Sequence, residues 1–281
     1  DELETESEVV FAGSDAEENL QIFLDRTPFY AESGGQVGDR GVIEGVDFSI
    51  EVLDTVKGRG GIMHVGHLLT GDAASIRGSV RACVDAGRRL DGARHHTATH
   101  LLHEALRRIL GTHVAQMGSL VAPDRLRFDF SHFNPIDAAQ LEAIEAMVNE
   151  EIRADREIAT FEEDLEKAKS LGAQALFGEK YTDRVRVVRI GDFSLELCGG
   201  THVRSTGEIG RFDLISDSGI AAGTRRAEAL AGTPAERAAR QQRETLARLA
   251  TLLSSPNYTE LPQKIGDLLQ RQRDTERQLT E

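Results

Sequence analysis

The chain has 281 residues, 40% of them hydrophobic, which is enough for one large packed domain or two to three smaller ones. Aromatic residues make up only 5% and tryptophan is absent, so aliphatic side chains must fill the core. The net charge of −14 speaks against a general nucleic-acid binder, because phosphate binding runs on Lys and Arg, and no run approaches 18 apolar residues, which excludes a membrane-spanning helix.

The chain opens on DELETESEVV, acidic where a secretory signal is basic and then apolar. A start at Asp1 rather than methionine reads as a fragment or a processed chain. Only two cysteines occur, Cys83 and Cys198, too few for a disulfide framework, and a reducing cytoplasm is the expected setting. Residues 8–85 read as β-rich. Val9–Ala12, Phe48–Val56 and Ile76–Val84 are short β-prone runs, and Ile76, Gly78, Val80, Ala82 and Val84 keep a period of two. Cys83, within that last run, is expected as a small buried hydrophobe, and His64 and His67 as surface residues. Pro28 to Gly41, PFYAESGGQVGDRG, concentrates glycine where a small barrel bends sharply or lets another backbone approach. A barrel or sandwich is predicted.

From Asp85 the texture changes. A helix is predicted from about Asp91 to Leu110, stopped by Gly111. Strands Ser119–Ala122 and Leu126–Phe130 follow, then a helix from Asp137 to about Asp155, capped by Asp137 and buried along Leu141, Ile144, Val148 and Ile152. Further strands are predicted at Val185–Ile190, Phe193–Leu197, Arg211–Ser216 and Thr224–Leu230. Strands and helices mixed in this way predict an α+β layer sandwich. Beyond Pro234 the chain turns helical and charged. One stripe holds Leu246, Leu249 and Leu253, another begins with Ile265, Leu268 and Leu269, and the loop Ser254–Glu260 separates them. These predict two helices that pack on the body or begin a coiled coil. The expected organisation is α+β overall: a β-barrel over 1–85, an α+β domain over 86–232 and a helical tail over 233–281.

The richest segment is RHHTATHLLHEALRRIL, Arg94 to Leu110. At about 100° per residue, Ala98, Leu101, Leu102, Ala105 and Ile109 fall within roughly 60° of one direction, while His96, His100 and His103 lie on the opposite face. Burial in the helix's own apolar stripe is excluded for these histidines; surface decoration is not. His96 and His100 are an i, i+4 pair whose rings can meet on one metal ion. A zinc peptidase would carry glutamate directly after the first histidine as general base; here stands Thr97, so peptidase chemistry is not expected. The second half-site is CGGTH, Cys198 to His202, a thiolate and an imidazole four apart on a loop leaving a strand-like FSLEL. Together the two motifs make a His₃Cys set suited to tetrahedral Zn²⁺, with His95 and His103 as nearby substitutes.

DGARHHTATHLLHEALRRILGTHVAQMGSLVAPDRLRFDF and ELCGGTHV resemble the editing domain of alanyl-tRNA synthetases and the freestanding alanyl-tRNA editing proteins. FYAESGGQVGD resembles the glycine-rich barrel before that site, and SDSGIAAGTRRAEALAG the family's closing strand, so that the likeness runs over about residues 8–232. It implies a fold of the threonyl/alanyl-tRNA synthetase second-additional-domain type, with a class II catalytic core before this segment and a C-terminal domain after it. The metal ligands it implies are His96, His100, Cys198 and His202, holding Zn²⁺; Gln116 matches the family's pocket glutamine and Thr99 the threonine before the second histidine. The activity it implies is hydrolysis of Ser-tRNA(Ala) and Gly-tRNA(Ala), sparing Ala-tRNA(Ala), with the tRNA(Ala) acceptor end and the rest of a synthetase chain as partners.

That chemistry has a physical reason. A synthetic pocket shaped for a methyl group rejects an added hydroxyl only about 10²-fold and cannot sterically refuse glycine, so a second, hydrolytic site is needed. Thr99 is expected to hydrogen-bond the serine hydroxyl, or else to back-bond a helix carbonyl; Gln116 to orient the ester or the water, or else to face solvent. Zinc with an open position would polarise the ester or acidify water, and zinc with four protein ligands would position the terminal adenosine; four candidates favour positioning. Arg94, Arg107 and Arg108 beside the site helix, with Arg225 and Arg226, are the candidate phosphate contacts. A freestanding trans-editing protein and a non-catalytic RNA-binding module with structural zinc are the alternative readings.

Overall fold

The computed structural model describes residues 2–15, 19–175 and 181–280. Six strands open the chain: β1 (Glu4–Ser14), β2 (Leu20–Leu24), β3 (Gly41–Glu44), β4 (Ser49–Gly58), β5 (Gly61–Thr70) and β6 (Gly78–Val84). They close into an antiparallel barrel in the order β1-β2-β5-β4-β3-β6, which leaves no free edge. The barrel is filled by aliphatic residues, among them Ile22, Ile43, Ile50, Val52, Val80 and Ala82, with Phe29 and Phe48. Val80, Ala82 and Val84 point inward, in the predicted phase. Cys83 therefore falls on the other face of β6; it is half-buried rather than buried, and this burial pushes its thiol pKa up. His64 departs further from expectation. Instead of sitting at the surface it is wholly buried, because β5 turns it into the barrel against the edge of Phe29. His67, three residues on, does face outward beside Glu51.

Helix α1 (Ala86–Leu110) leaves the barrel directly. It starts more than a turn before its predicted beginning, because Asp85 caps it by accepting the Arg88 amide at 3.0 Å, and Gly111 ends it at φ 120°. Strands β7 (Gln116–Val121) and β8 (Leu126–Ser131) follow, then α2 (Ala138–Arg153), whose N-terminus carries a full capping box from Asp137 and Gln140. Then come β9 (Ile158–Asp164), α3 (Leu165–Ser170), β10 (Arg184–Ile190), β11 (Ser194–Leu197), β12 (Phe212–Ala221) and β13 (Thr224–Ala231). The sequence runs did not mark β9 and α3, nor β2, β3 and β5 of the barrel. β9 alternates half-buried and exposed residues at the edge of its sheet and is heavily acidic, so its apolar rhythm is faint.

Two antiparallel sheets result, β12-β13-β8-β7 and β11-β10-β9. The apolar stripe of α1 (Ala98, Leu101, Leu102, Ala105) packs with Phe128 and Phe130 of β8, Ala227 and Ala229 of β13, and Ile144, Val148 and Ile152 of α2. α1 touches β7, β8 and β13 of the larger sheet and also β11 of the smaller one. It is consequently buried on both faces, and its histidines are interior residues. Surface decoration, left open by helical geometry, does not apply to them.

By compactness the chain divides once, into Asp1–Thr233 and Pro234–Glu281, so the barrel and the two-sheet region form one unit. The second unit contains most of α4 (Thr233–Leu252) and α5 (Leu261–Thr280). Between them Asn257 caps a short 3-10 turn, Tyr258–Glu260, by accepting from the amides of Thr259 and Glu260. Leu246, Leu249, Ile265, Leu268 and Leu269 are all exposed.

Candidate metal centre

Four side chains from two distant segments meet beside α1. His96 and His100 lie one helical turn apart, while Cys198 and His202 come from the loop after β11. One donor atom from each lies within 4.8 Å of all the others. Cys198 Sγ is 3.3 Å from His96 Nε2 and 3.4 Å from His202 Nε2. Three imidazoles and a thiolate at this spacing fit a tetrahedral, borderline-soft divalent ion such as zinc.

The outer nitrogens define which nitrogen is free to face that point. His202 Nδ1 is 3.1 Å from Thr97 Oγ1, whose own proton goes to the Ala93 carbonyl at 2.9 Å, so the histidine donates. His100 Nδ1 lies 2.9 Å from Glu196 Oε2, a carboxylate that can only accept. His96 Nδ1 lies 2.6 Å from Gln36 Oε1. Each imidazole thereby has an oxygen against Nδ1, through a hydrogen bond at His96 and His202 and through an ion-pair contact at His100, an arrangement usual for ligating histidines. The carboxylate of Glu196 also reaches His103 Nδ1 at 3.1 Å and accepts from Ser194 Oγ at 3.3 Å.

Charge in the cluster is biased toward a cation. Burial opposes ionisation of Cys198, yet His96, His202 and His100 hold its thiol well below the ordinary value. Burial likewise works against the Glu196 carboxylate, which His100 and His103 nonetheless hold far below the carboxylate range. Between these two anions His100 is pushed up to about 10 despite its own burial. Burial and the neighbouring His96 push His202 down to about 3. Two anions against one cationic imidazole leave the cluster net negative, and a divalent ion that displaced the His100 proton would neutralise it.

The loop from Cys198 to His202 is built for close approach. Arg186 Nη1 donates to the carbonyls of Cys198 and Gly200, at 2.9 and 2.8 Å. A Cβ on Gly200 would lie 2.0 Å from His96 Cε1, so glycine is required there for room. Gly199 has open space around it.

A cavity of about 420 Å³ lies over the cluster, lined by His96, His100, Cys198, Gly199 and Gly200 at one end and by Tyr30, Ser33, Lys57, Thr182 and Arg184 elsewhere. Thr99 and Gln116 both line it. Thr99 is buried and donates its hydroxyl proton to the His95 carbonyl at 2.8 Å, which leaves its oxygen as an acceptor. Back-bonding and a pocket position are therefore compatible. Gln116 sits at an irregularity in the pairing of β7 with β8 and donates to Ser119 Oγ at 3.2 Å.

The remaining sequence candidates lie elsewhere. His95 uses both nitrogens, Nδ1 on the Asp91 carbonyl and Nε2 on the Ala231 amide, and His103 serves Glu196; neither joins the cluster. Arg94 is engaged by Asp91 and the Glu208 carbonyl, Arg107 by the carbonyls of Thr112 and Val114, and Arg108 by Glu104 and the ring of Phe193. Arg225 pairs with Asp217 and Arg226 with Asp129, the latter through two hydrogen bonds. None of these five lines the cavity, whose basic residues are Lys57, Arg184 and Arg186. Sequence reading passed over these three, and also Gln36, Thr97 and Glu196. Glu196 lies on β11 two residues before Cys198, a spacing that hints at a shared side but not at its partners. Gln36, 60 positions from His96, carried no such signal.

The sequence has relatives among known proteins. Residues 185–228, which include Cys198 and His202, match the profile of the Threonyl and Alanyl tRNA synthetase second additional domain, and residues 3–88 that of tRNA synthetases class II (A). An alanine–tRNA ligase of Methylococcus capsulatus is 51% identical over 267 residues, 94% of this chain and 30% of the ligase. Those of Shewanella amazonensis and Desulforamulus reducens are 51% and 46% identical, over 90% and 94% of the chain and again 30% of the relative. The chain thus spans about a third of the length of these relatives, and over that span it belongs to the alanyl-tRNA synthetase family.

Proposed function

We propose that this chain carries a zinc-bearing hydrolytic editing site that deacylates Ser-tRNA(Ala) and Gly-tRNA(Ala), acting within a longer cytoplasmic synthetase whose tRNA(Ala) acceptor end it receives. The observation that carries the reading is the convergence of His96, His100, Cys198 and His202, the first three of which line a cavity that also holds Thr99 and Gln116. Bound there, zinc would supply fixed positive charge and Lewis acidity, and four protein donors favour a positioning role.

The chain's own residues account for selection. The Thr99 oxygen, its proton already given to His95, accepts from a serine hydroxyl; alanine leaves that buried acceptor unpaired at a cost of about 1–3 kcal/mol. Gln116 orients the ester or the attacking water from the side of β7. Lys57 and Arg184 supply positive charge for the terminal phosphates, a better-placed pair than the arginines engaged by Asp217 and Asp129. The test is to incubate the zinc-loaded chain with Ser-tRNA(Ala) and Ala-tRNA(Ala) and to follow release of the amino acid. Serine release well above the spontaneous rate, with alanine spared, is expected. An inert chain that still binds the tRNA would identify a non-catalytic RNA-binding module instead.

A further inference from the structure

Gln36 belongs to the barrel, in the loop between β2 and β3, yet its side chain ends inside the metal cluster. It is 3% exposed. Its Oε1 lies 2.9 Å from the Thr201 amide and 2.6 Å from His96 Nδ1, and its Nε2 donates to Thr201 Oγ1 at 2.8 Å. These contacts form a chain of logic. The Thr201 amide can only donate, so the atom facing it must be the Gln36 oxygen. That oxygen can only accept, so His96 must carry its proton on Nδ1, leaving Nε2 unprotonated toward Cys198 Sγ at 3.3 Å.

The loop that delivers Gln36 is itself anchored. Gly34 and Gly35 turn it at φ 59° and 85°, and Ser33 and Gln36 bond each other's backbones at 3.2 and 3.0 Å. Val37 and Gly35 bond to Val121 of β7, at 3.0 and 2.7 Å. Two helical turns before His96, Arg89 of α1 forms a buried ion pair with Asp39 and donates to the Pro28 carbonyl at 2.7 Å. The loop therefore grips α1 at both Arg89 and His96.

We infer that Gln36 is a positioning residue of the metal site: it sets the His96 tautomer, ties His96 to the CGGTH loop, and makes the barrel a structural part of the centre. The inference rests on the proposed metal site, and the experiment separates the two. Zinc affinity of the full chain is measured by competition with a chromogenic chelator for the wild type, Gln36→Glu and Gln36→Leu, alongside the cobalt absorption spectrum of each. The glutamate still accepts from both N–H groups and is expected to stay near the wild-type affinity. Leucine, of similar size but without an acceptor, is expected to bind zinc about 10–100-fold more weakly, with a changed cobalt spectrum. If Gln36 only fills space, leucine will equal or exceed glutamate, and the inference falls. The His96 tautomer in the metal-free wild type, read from long-range ¹H–¹⁵N couplings, needs no variant; a proton on Nε2 overturns the inference. A wild type without zinc affinity would sink the metal site itself.

Discussion

His64 in the barrel and His96 on α1 are both buried, both on regular elements and both bonded to oxygen, yet they are set up for different work. His64 spends both nitrogens on the protein, Nδ1 at 3.0 Å from the Ile22 carbonyl and Nε2 at 2.7 Å from Thr27 Oγ1. His96 is held at Nδ1 alone, and its Nε2 points into a group of two further imidazoles and a sulfur. Burial does not distinguish a ligand from a structural histidine. The distinguishing feature is a second nitrogen held free, in company with others likewise free.

Substitutions at these two places sharpen the contrast. The largest effect is expected from Cys198→Ala, which removes a donor outright: bound zinc should fall below stoichiometric in metal analysis, and deacylation by more than the roughly 10–100-fold that outer partners cost. Stoichiometric zinc in that variant would dissolve the ligand set. Thr99→Val comes next. It should lower the preference for Ser-tRNA(Ala) over Ala-tRNA(Ala) by up to about 10²-fold, equivalent to 1–3 kcal/mol, with zinc content unchanged; an unaltered ratio of the two deacylation rates would place serine recognition elsewhere. His64→Asn should affect the metal least and stability most. Burial lowers the pKa of His64 below its ordinary 6.5, so the folded state resists protonating it. The stability tied to its neutral form is present above pH 6.5 and is lost as pH falls through the lowered folded value. Denaturant titrations of the variant should show weaker acid dependence than the wild type, while zinc affinity at neutral pH stays the same. Loss of zinc affinity would tie the barrel interior to the centre.

Much of this arrangement was legible in the chain. Gly111 and Asp137 punctuate helices where capping chemistry says they should, although the cap at Asp85 went unread, and the i, i+4 histidines and CxxxH read as half-sites because a helix and a tight loop bring such spacings together. Strand β9 escaped because acidic residues on an edge blur its period, and His64 because a barrel strand has an inner and an outer phase that its polarity misreports. The arginines were judged by charge alone; folded, those at 225 and 226 meet aspartates on neighbouring strands.

By itself the sequence determined most elements of the two-sheet region and which donor types are present, since caps, periodicity and ligand spacing act over a few residues of contiguous chain. Tertiary structure alone decided that the histidine face of α1 is covered by the strand before Cys198, that Glu196, Thr97 and Gln36 hold the outer nitrogens, and that Lys57 and Arg184 line the cavity. The physical reason is range. A hydrogen bond between residues 36 and 96 depends on a closed barrel, a glycine turn and a buried ion pair all being satisfied together, and no local pattern encodes such agreement.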